Sequence, residues 1–265
     1  MNSLNKYWAI ACISAKSNLV YVTEAGSRLI FLTIVLYTFM QLWSVTFKHT
    51  GAKVLGGLSL TEMLWYLAMT ETMMMSSPRI TTLIDEDVRT GALAVQLVRP
   101  MSYPLYRLFA TLGERTVRFV ITFVAAALIA FIIVGPLPNW RAESLLFLLA
   151  LPLAFTMDFL GYFFVGLGAF WMEDTTGPML IYSRMTMILG GMLIPLQLFP
   201  DFAQPVLRLL PFSAVVYGPA RLFVAPNVGE FVQLMALQTI WTAVFAAAVF
   251  LLYRVALRRI NANGG

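Results

Sequence analysis

Three ionisable residues lie inside otherwise apolar runs of this 265-residue sequence and are the first candidates for chemistry. Glu71 and Asp158 carry carboxylates, and Arg184 carries a guanidinium. A charge at the centre of a bilayer costs about 3 kcal/mol and normally faces protein or water. Such residues indicate either a polar point on a transport path or a charge pair that joins two helices. Asp158 and Arg184 fall on neighbouring runs and could form such a pair; the sequence leaves both interpretations open.

Motifs for catalysis and metal binding are absent from the sequence. It has no G-x-x-x-x-G-K-[ST] phosphate loop, no H-E-x-x-H pair and no G-x-S-x-G nucleophile turn. Cys12 and His49 are its only cysteine and histidine, which excludes an intrachain disulfide and a cysteine-based or histidine-based metal cage. We therefore expect no catalytic residue, no metal site and no cofactor bound by this chain.

The composition is typical of a protein that crosses a membrane several times. Hydrophobic residues make up 60% of the chain and charged residues 12%. A helix of about 20 apolar residues crosses the hydrocarbon core, and six runs reach this length. These runs are 29–47, 59–77, 119–140, 144–172, 178–199 and 231–253. We predict an all-α membrane protein with six transmembrane helices in a single domain, residues 1–265.

The distribution of lysine and arginine predicts the orientation of these spans. Positive residues gather on the cytoplasmic side of membrane proteins. With a cytoplasmic N-terminus, twelve of the 18 positive residues lie inside and five outside, when Arg184 is left out because it lies within a run. We therefore expect both termini in the cytoplasm. The net charge of +5 then reflects membrane topology, and nucleic acid is not an expected partner.

Two segments outside the spans are also apolar. Residues 1–24 place Leu4, Tyr7, Trp8 and Ala11 at helical spacing, which predicts a helix at the inner membrane interface, with a frayed tail as the alternative. Residues 195–230 hold six of the 13 prolines and predict short helices in an outer re-entrant hairpin, with a plain outer loop as the alternative. The prolines assigned to the first part of this hairpin are Pro195, Pro200, Pro205 and Pro211.

The connection 78–111 holds more charged residues than any other connection between the predicted spans. Prolines and glycines divide it into short pieces, and the piece from Arg79 to Arg89 has helical periodicity. Its apolar residues fall on one side and its charged residues on the other, which predicts an amphipathic helix at the membrane surface. The apolar residues are Ile80, Leu83, Ile84 and Val88, and the charged ones are Asp85, Glu86 and Arg89.

Two stretches of the chain resemble the permease subunits of ABC-2 type bacterial ABC transporters. They read IDEDVRTGALAVQLVRPMSYPLYRL, and later GGMLIPLQLFPDFAQPVLRLLPFSAVVYGPARLF. The combination of D-V-R-T-G, L-V-R-P and I-P-L-x-x-F-P carries the resemblance, which extends over essentially the whole chain. It implies the membrane subunit of an ATP-driven exporter in the bacterial inner membrane, moving a lipid-like, drug-like or glycan-linked compound outward.

The resemblance also implies partners. A second permease, identical or similar, and two cytoplasmic ABC ATPase subunits that bind ATP and Mg would complete the transporter, together with membrane lipids. In the family, the loop after span two carries a coupling helix that docks in a groove of the ATPase. The matching positions here are Ile84, Asp85, Glu86, Asp87, Val88, Arg89 and Gly91. The alternative is an ion-coupled secondary transporter that uses Glu71, Asp158 and Arg184.

Overall fold

A computed structural model of the chain describes residues 3–19, 25–138 and 141–263, and these residues form an all-α fold without a β-strand. The predicted all-α class is confirmed. The α-helices are α1 (Ser3–Leu19), α2 (Ala25–Thr50), α3 (Leu60–Met75), α4 (Ile80–Arg89), α5 (Ala92–Leu97), α6 (Tyr103–Val134), α7 (Leu146–Gly166), α8 (Thr176–Leu189), α9 (Gln204–Leu209), α10 (Pro211–Val215), α11 (Tyr217–Val224) and α12 (Val228–Asn263).

Within the described residues, four helical stretches are long and apolar enough to cross a membrane. They are Leu29–Thr50, Tyr103–Val134, Ala142–Phe170 and Val228–Arg258. The other two predicted spans correspond to α3 and α8, which have 16 and 14 residues. At about 1.5 Å per residue, both fall short of the roughly 30 Å hydrocarbon core. The count of six spans therefore stays a prediction.

The third predicted span, 119–140, has the wrong limits. Helix α6 begins at Tyr103 and ends at Val134, where Gly135 takes a φ of 85°. The prediction started the span after the charged residues that end at Arg118, because it followed the run that contains no charged residue. In the structure these charges have partners, so the helix continues through them.

The fifth predicted span, 178–199, is too long at its second end. Helix α8 ends at Leu189, and Gly191 takes a left-handed φ of 70° that favours glycine. A Cβ on Gly190 would lie 3.0 Å from the Phe212 carbonyl oxygen, so the chain passes close to α10 at this point. The apolar residues that follow belong to a turn rather than to the helix.

Helix α3 lies at the centre of the bundle, packed against α2, α6 and α11. Its N-terminus is closed by a capping box: the Ser59 backbone N–H donates to Glu62 Oε2 over 2.8 Å, and the Glu62 N–H donates to Ser59 Oγ over 3.4 Å. The residues Met63–Met73 are buried without interruption. Because the helix is covered on all sides, its apolar residues show no amphipathic stripe.

Polar groups of α3 are satisfied across the bundle. The Tyr66 hydroxyl donates to the Gly191 carbonyl, and the Thr70 hydroxyl donates to the Met192 carbonyl over 3.0 Å. These bonds fix the turn after α8 to the central helix. Buried hydroxyls need such partners, because an unpaired one loses its hydration without compensation.

Helix α1 lies along the first half of α6 and runs in the same direction. The Tyr7 and Phe109 rings stack at 5.5 Å, and a Cβ on Gly113 would lie 2.1 Å from the Ala11 carbonyl oxygen. The two backbones therefore touch at a point where only glycine fits. Trp8, predicted on the same stripe as Tyr7, is 68% exposed, and Ile13 is exposed as well, so α1 keeps apolar side chains outside the bundle. Its position at a membrane interface stays a prediction.

The proline-rich region forms three short helices, α9, α10 and α11. Helices α10 and α11 are mostly buried and pack against α3, α7, α8 and α12. Side chains of α12 satisfy freed backbone groups: Gln238 Nε2 and Trp241 Nε1 each donate over 2.9 Å, to the Ala214 and Leu209 carbonyls. The segment is packed as a re-entrant hairpin would be, and its depth in the membrane stays a prediction.

The four prolines assigned to this hairpin lie at starts and turns of its short elements. Pro195 precedes the 3₁₀ turn Leu196–Leu198, and Pro200 begins the turn before α9. Pro205 and Pro211 occupy the first turns of α9 and α10. Proline is tolerated at these positions because the first backbone N–H groups of a helix have no intrahelical partner.

Candidate functional site

Helix α4 lies across the end of α7 through its apolar side. Ile80 and Ile84 are buried, and the Thr81 hydroxyl donates to the Tyr162 carbonyl over 3.0 Å. A Cβ on Gly166 would lie 2.8 Å from Ile84 Cδ1. The absence of a side chain at Gly166 therefore lets α4 sit directly on α7, and the two helices are expected to move together.

The carboxylate of Asp87 fastens α4 to α6. Asp87 is only 8% exposed, and its Oδ2 accepts a hydrogen bond from the Tyr103 hydroxyl over 2.6 Å and a second from the Arg107 guanidinium. Tyr103 and Arg107 are one helical turn apart on α6, so both reach the same oxygen. The sequence placed Asp87 with residues that contact a partner protein; in the structure it faces the bundle.

The other side of α4 is exposed. Arg89 Nε lies 3.1 Å from Asp85 Oδ2 in a pair within the helix, and the Glu86 side chain faces outward. Leu83, predicted on the buried stripe with Val88, is 36% exposed, while Val88 is half-buried. The outer face of α4, defined by Thr82, Leu83, Glu86 and Arg89, thus combines one apolar residue with charged and polar ones.

Gly91 ends this helix and begins the next one. Its φ of 73° is left-handed, and no atom lies within 4 Å of the position that a Cβ would take. Glycine is therefore favoured here by backbone conformation rather than by space. The turn lets the chain return through α5 toward α6.

A second loop at the same end lies beside the outer face of α4. The Thr82 hydroxyl lies 3.8 Å from Met179 Sδ at the start of α8. In the loop before α8, the hydroxyl and the backbone N–H of Thr176 donate to Asp174 and lower the pKa of its carboxyl, and the charge of Arg89 adds to this effect. The loop and the helix thus form one continuous polar surface.

A buried ion pair lies deeper in the bundle. Arg115 is 1% exposed, and its Nη1 donates to Asp158 Oδ2 over 2.6 Å. Its guanidinium also lies 4.3 Å from the centre of the Phe155 ring, and its Nη2 donates to the Met73 carbonyl over 3.3 Å. The Ser77 hydroxyl completes the cluster by donating to Asp158 over 3.2 Å. The pair therefore joins α6 and α7 to the end of α3.

Residues 32–264 match the model of a protein family described as "ABC-2 family transporter protein". The chain belongs to this family. It is therefore a multi-pass membrane permease subunit of an ABC transporter, a component without catalytic activity whose family associates with ABC ATPases. The resemblance noted in the sequence is confirmed. A comparison with curated proteins found no match.

The structure of the permease separates the three residues that were predicted to be intramembrane charges. Within its described residues, no hydrogen bond or ion pair joins Glu71, Asp158 and Arg184 to one another. Asp158 is held by Arg115, so the possible pair with Arg184 is not formed. The Arg184 side chain is exposed on α8, where its Nη1 lies 3.6 Å from Met187 Sδ. Glu71 is 4% exposed about one turn before the end of α3, with no partner for its carboxylate among the described residues.

Sequence reasoning missed the role of Arg115, which it counted among the cytoplasmic arginines. Without it, eleven positive residues still remain on that side against five. One signal distinguishes it: Arg118 has Glu114 one turn away and pairs with it, whereas the residues one turn from Arg115 are Thr111 and Phe119. An arginine with no acid one turn away on its own helix needs a partner from another helix.

Contacts among the described residues link α4 of the permease to three helices of the bundle. Helix α4 is attached to α7 by close packing and to α6 by a buried carboxylate, while its outer face is open. Arg115 and Asp158 join the same two helices to α3. A force applied to the outer face of α4 would therefore reach three helices of the bundle as one unit.

Proposed function

We propose that this permease is the membrane subunit of an ATP-driven exporter and that α4 is its coupling helix. The observation that supports this most directly is the division of α4 into two sides. Asp87 anchors the inner side to Tyr103 and Arg107, whereas Leu83, Glu86 and Arg89 are exposed on the outer side. A helix whose inner side is anchored to the bundle and whose outer side is exposed suits the groove of a partner protein.

In this proposal, closure of two cytoplasmic ATPase subunits on ATP and Mg displaces α4. Because α4 packs on Gly166 and binds α6 through Asp87, the displacement is passed to α6 and α7 as a rigid-body movement. The Arg115–Asp158 pair keeps these helices together with α3 during the movement. Close-packed interiors transmit such shifts because they have little free volume.

The proposal includes a second permease, identical or similar, packed against α8. The α8 surface has a long exposed stretch that contains Arg184, with only Thr186 buried in this helix. An arginine facing lipid at this depth is unfavourable by about 3 kcal/mol. The Arg184 face is therefore assigned to the second permease or to a water-filled path between the two. Six spans, an interfacial α1, an outer re-entrant hairpin and cytoplasmic termini in a bacterial inner membrane complete the proposal.

Co-purification tests the coupling role of α4. The permease carries an affinity tag and is co-expressed with its cognate ABC ATPase, and the ATPase retained per permease is measured. We expect Glu86→Lys combined with Leu83→Asp to abolish retention, because both side chains are exposed on the outer face. Glu143→Lys is the matched control, since Glu143 is exposed before α7, at the opposite end of that helix from α4.

The two possible failures are distinct. If the α4 variant retains the ATPase as well as wild type does, another surface docks the ATPase and α4 is not the coupling helix. If wild type retains no ATPase at all, ATP coupling itself is wrong. Ion-coupled transport through the unpartnered Glu71 then becomes the hypothesis to test, by comparing proton-dependent transport of wild type and Glu71→Gln.

The orientation has its own test, because Cys12 is the only cysteine. In a Cys12→Ser background, single cysteines replace Glu86 or Glu143, which are both exposed. A membrane-impermeant maleimide added to intact cells is expected to label the cysteine at 143 and not the one at 86. The reverse pattern would show that the α4 end faces outward.

A further inference from the structure

A cavity of about 450 Å³ lies between α9–α11 and the first turns of α12, at the opposite end of the bundle from α4. Its volume falls within the range of small-molecule sites, about 300–1,000 Å³. One wall is polar and contains Arg208, Arg221 and Gln197; the facing wall is apolar and contains Leu234, Leu237 and Ile240. None of these residues has a part in the coupling role proposed for α4.

The Arg221 guanidinium in the polar wall lacks acceptors. Its side chain is 16% exposed, and within the described part of the chain its Nε and Nη1 are buried without a hydrogen-bond partner. The nearest carboxylate oxygen, Glu230 Oε2, lies 3.8 Å from Nε, beyond hydrogen-bond range. A buried donor without an acceptor is unfavourable, so this wall is complementary to an added acceptor.

The charge of the cavity favours an anion. Arg208 and Arg221 contribute two positive charges and Glu230, which is half exposed, contributes one negative charge, so the lining carries a net charge of +1. The planar fork of a guanidinium matches two oxygens of a phosphate or carboxylate. An anion in the cavity would place an acceptor beside the Arg221 guanidinium, whose Nε and Nη1 have none among the described residues.

The apolar wall continues beyond the cavity along α12. Gln233, Leu237 and Ile240 line the cavity, and Val244 follows at the next helical position on the same face. Ile240 and Val244 are exposed, so an apolar stripe leads away from the polar wall. From Gln233 to Val244 the helix rises about 16 Å, close to half of the roughly 30 Å hydrocarbon core. A hydrocarbon chain of one leaflet would fit along this stripe.

We propose that this cavity binds a membrane phospholipid with a net negative headgroup, its phosphate on Arg221 and Arg208 and an acyl chain along the Ile240–Val244 stripe of α12. The unpartnered guanidinium supplies the recognition of phosphate, and the stripe supplies the requirement for a chain. A free phosphate ion satisfies the first condition but not the second.

Thermal unfolding of the purified permease tests this site. The protein is held in a neutral detergent and titrated with phosphatidylglycerol, phosphatidylcholine or inorganic phosphate. We expect phosphatidylglycerol to raise the Tm at concentrations at which the other two do not. Arg221→Gln and Arg208→Gln should each weaken the phosphatidylglycerol effect about tenfold, because each removes one charge-assisted contact.

Arg141→Gln is the matched control, because Arg141 is exposed and does not line the cavity. It should bind phosphatidylglycerol as wild type does. Arg208 is itself exposed, so its variant tests the site without changing a buried side chain. Equal shifts with phosphatidylcholine or with phosphate, or unchanged phosphatidylglycerol binding by the Arg208 variant, would overturn the proposal. Retention of the ATPase is measured separately, so this outcome is independent of the coupling test.

Discussion

At the α4 end of the bundle, Asp87 binds Arg107 and Asp158 binds Arg115. At the other end, the nearest carboxylate oxygen lies 3.8 Å from Arg221 Nε. Both ends bury arginine, but among the described residues only the α4 end supplies a carboxylate within hydrogen-bond range. Where that carboxylate is present, the arginine joins helices into one mechanical unit. Where it is not, as at Arg221, the side chain is available to a ligand.

Removing one member of the buried Arg115–Asp158 pair should have the largest effect on stability. Asp158→Leu leaves Arg115 as an uncompensated buried charge, and we expect it to lower the free energy of unfolding by about 3–5 kcal/mol. The double variant Asp158→Leu with Arg115→Met removes both charges and should recover most of the loss. Urea unfolding of the three variants in detergent measures the effect.

The double variant is the informative one. If it is as unstable as Asp158→Leu alone, the loss reflects packing at position 158 rather than an unpaired Arg115. The pair would then not be the reason why α6 and α7 stay together.

A second substitution tests whether close packing contributes to stability at the α4 end as much as the buried charges do. Gly113→Ala places a Cβ 2.1 Å from the Ala11 carbonyl oxygen and forces α1 away from α6. We expect a loss of about 1–3 kcal/mol, in spite of the better helix propensity of alanine. The Tm in detergent is the measurement.

Gly177→Ala is the control for this substitution. Gly177 also lies in a helix, α8, but nothing lies within 4 Å of its Cβ position. Its Tm should stay the same or rise slightly. Equal losses at both positions would show that the α1–α6 contact is not close in solution.

The two sides of α4 can be separated by two readouts. Asp87→Asn removes the charge that binds Arg107, and we expect it to lower stability by about 1–2 kcal/mol while ATPase retention persists. Glu86→Lys should do the reverse, with stability unchanged within about 0.5 kcal/mol and retention reduced. Loss of both properties in both variants would contradict the division of α4 into an anchored and an open side.

The smallest effect is expected at the cavity. In neutral detergent without added lipid, Arg221→Gln should change the free energy of unfolding by less than about 1 kcal/mol. The substitution removes only a weak ion pair with Glu230 and no hydrogen bond from Nε or Nη1 among the described residues. Arg115→Gln under the same conditions should cost several times more, about 3–5 kcal/mol. Similar losses of stability for Arg221→Gln and Arg115→Gln would contradict the proposed difference between the cavity end and the α4 end.

Hydropathy and helical periodicity predicted the elements well where the partner of a residue is lipid or a near neighbour. The runs 29–47 and 231–253 lie within α2 and α12, and the amphipathic piece 79–89 is α4 almost to the residue. Local spacing also placed Ile80 and Ile84 on the buried side. These features depend on residues within one or two helical turns.

Long-range partners were not predictable in the same way. Asp87 has a charged neighbour two positions on, at Arg89, yet it binds Arg107 on another helix. Asp158 was matched with Arg184 because the two residues fall on neighbouring runs, although Arg115 is its partner. The choice between two arginines depends on how the helices pack, and helix order in a sequence does not determine which faces meet.

The hydrogen bonds of α3 have a consequence for the order in which the chain is synthesised. Tyr66 and Thr70 find their acceptors 125 and 122 residues later, at Gly191 and Met192. Until the ribosome has produced most of the protein, the Tyr66 hydroxyl therefore lacks its acceptor, and the Thr70 hydroxyl has only the Leu67 carbonyl of its own helix, 3.1 Å away. A chain that stops before residue 190 lacks both later acceptors and cannot complete the packing around the central helix.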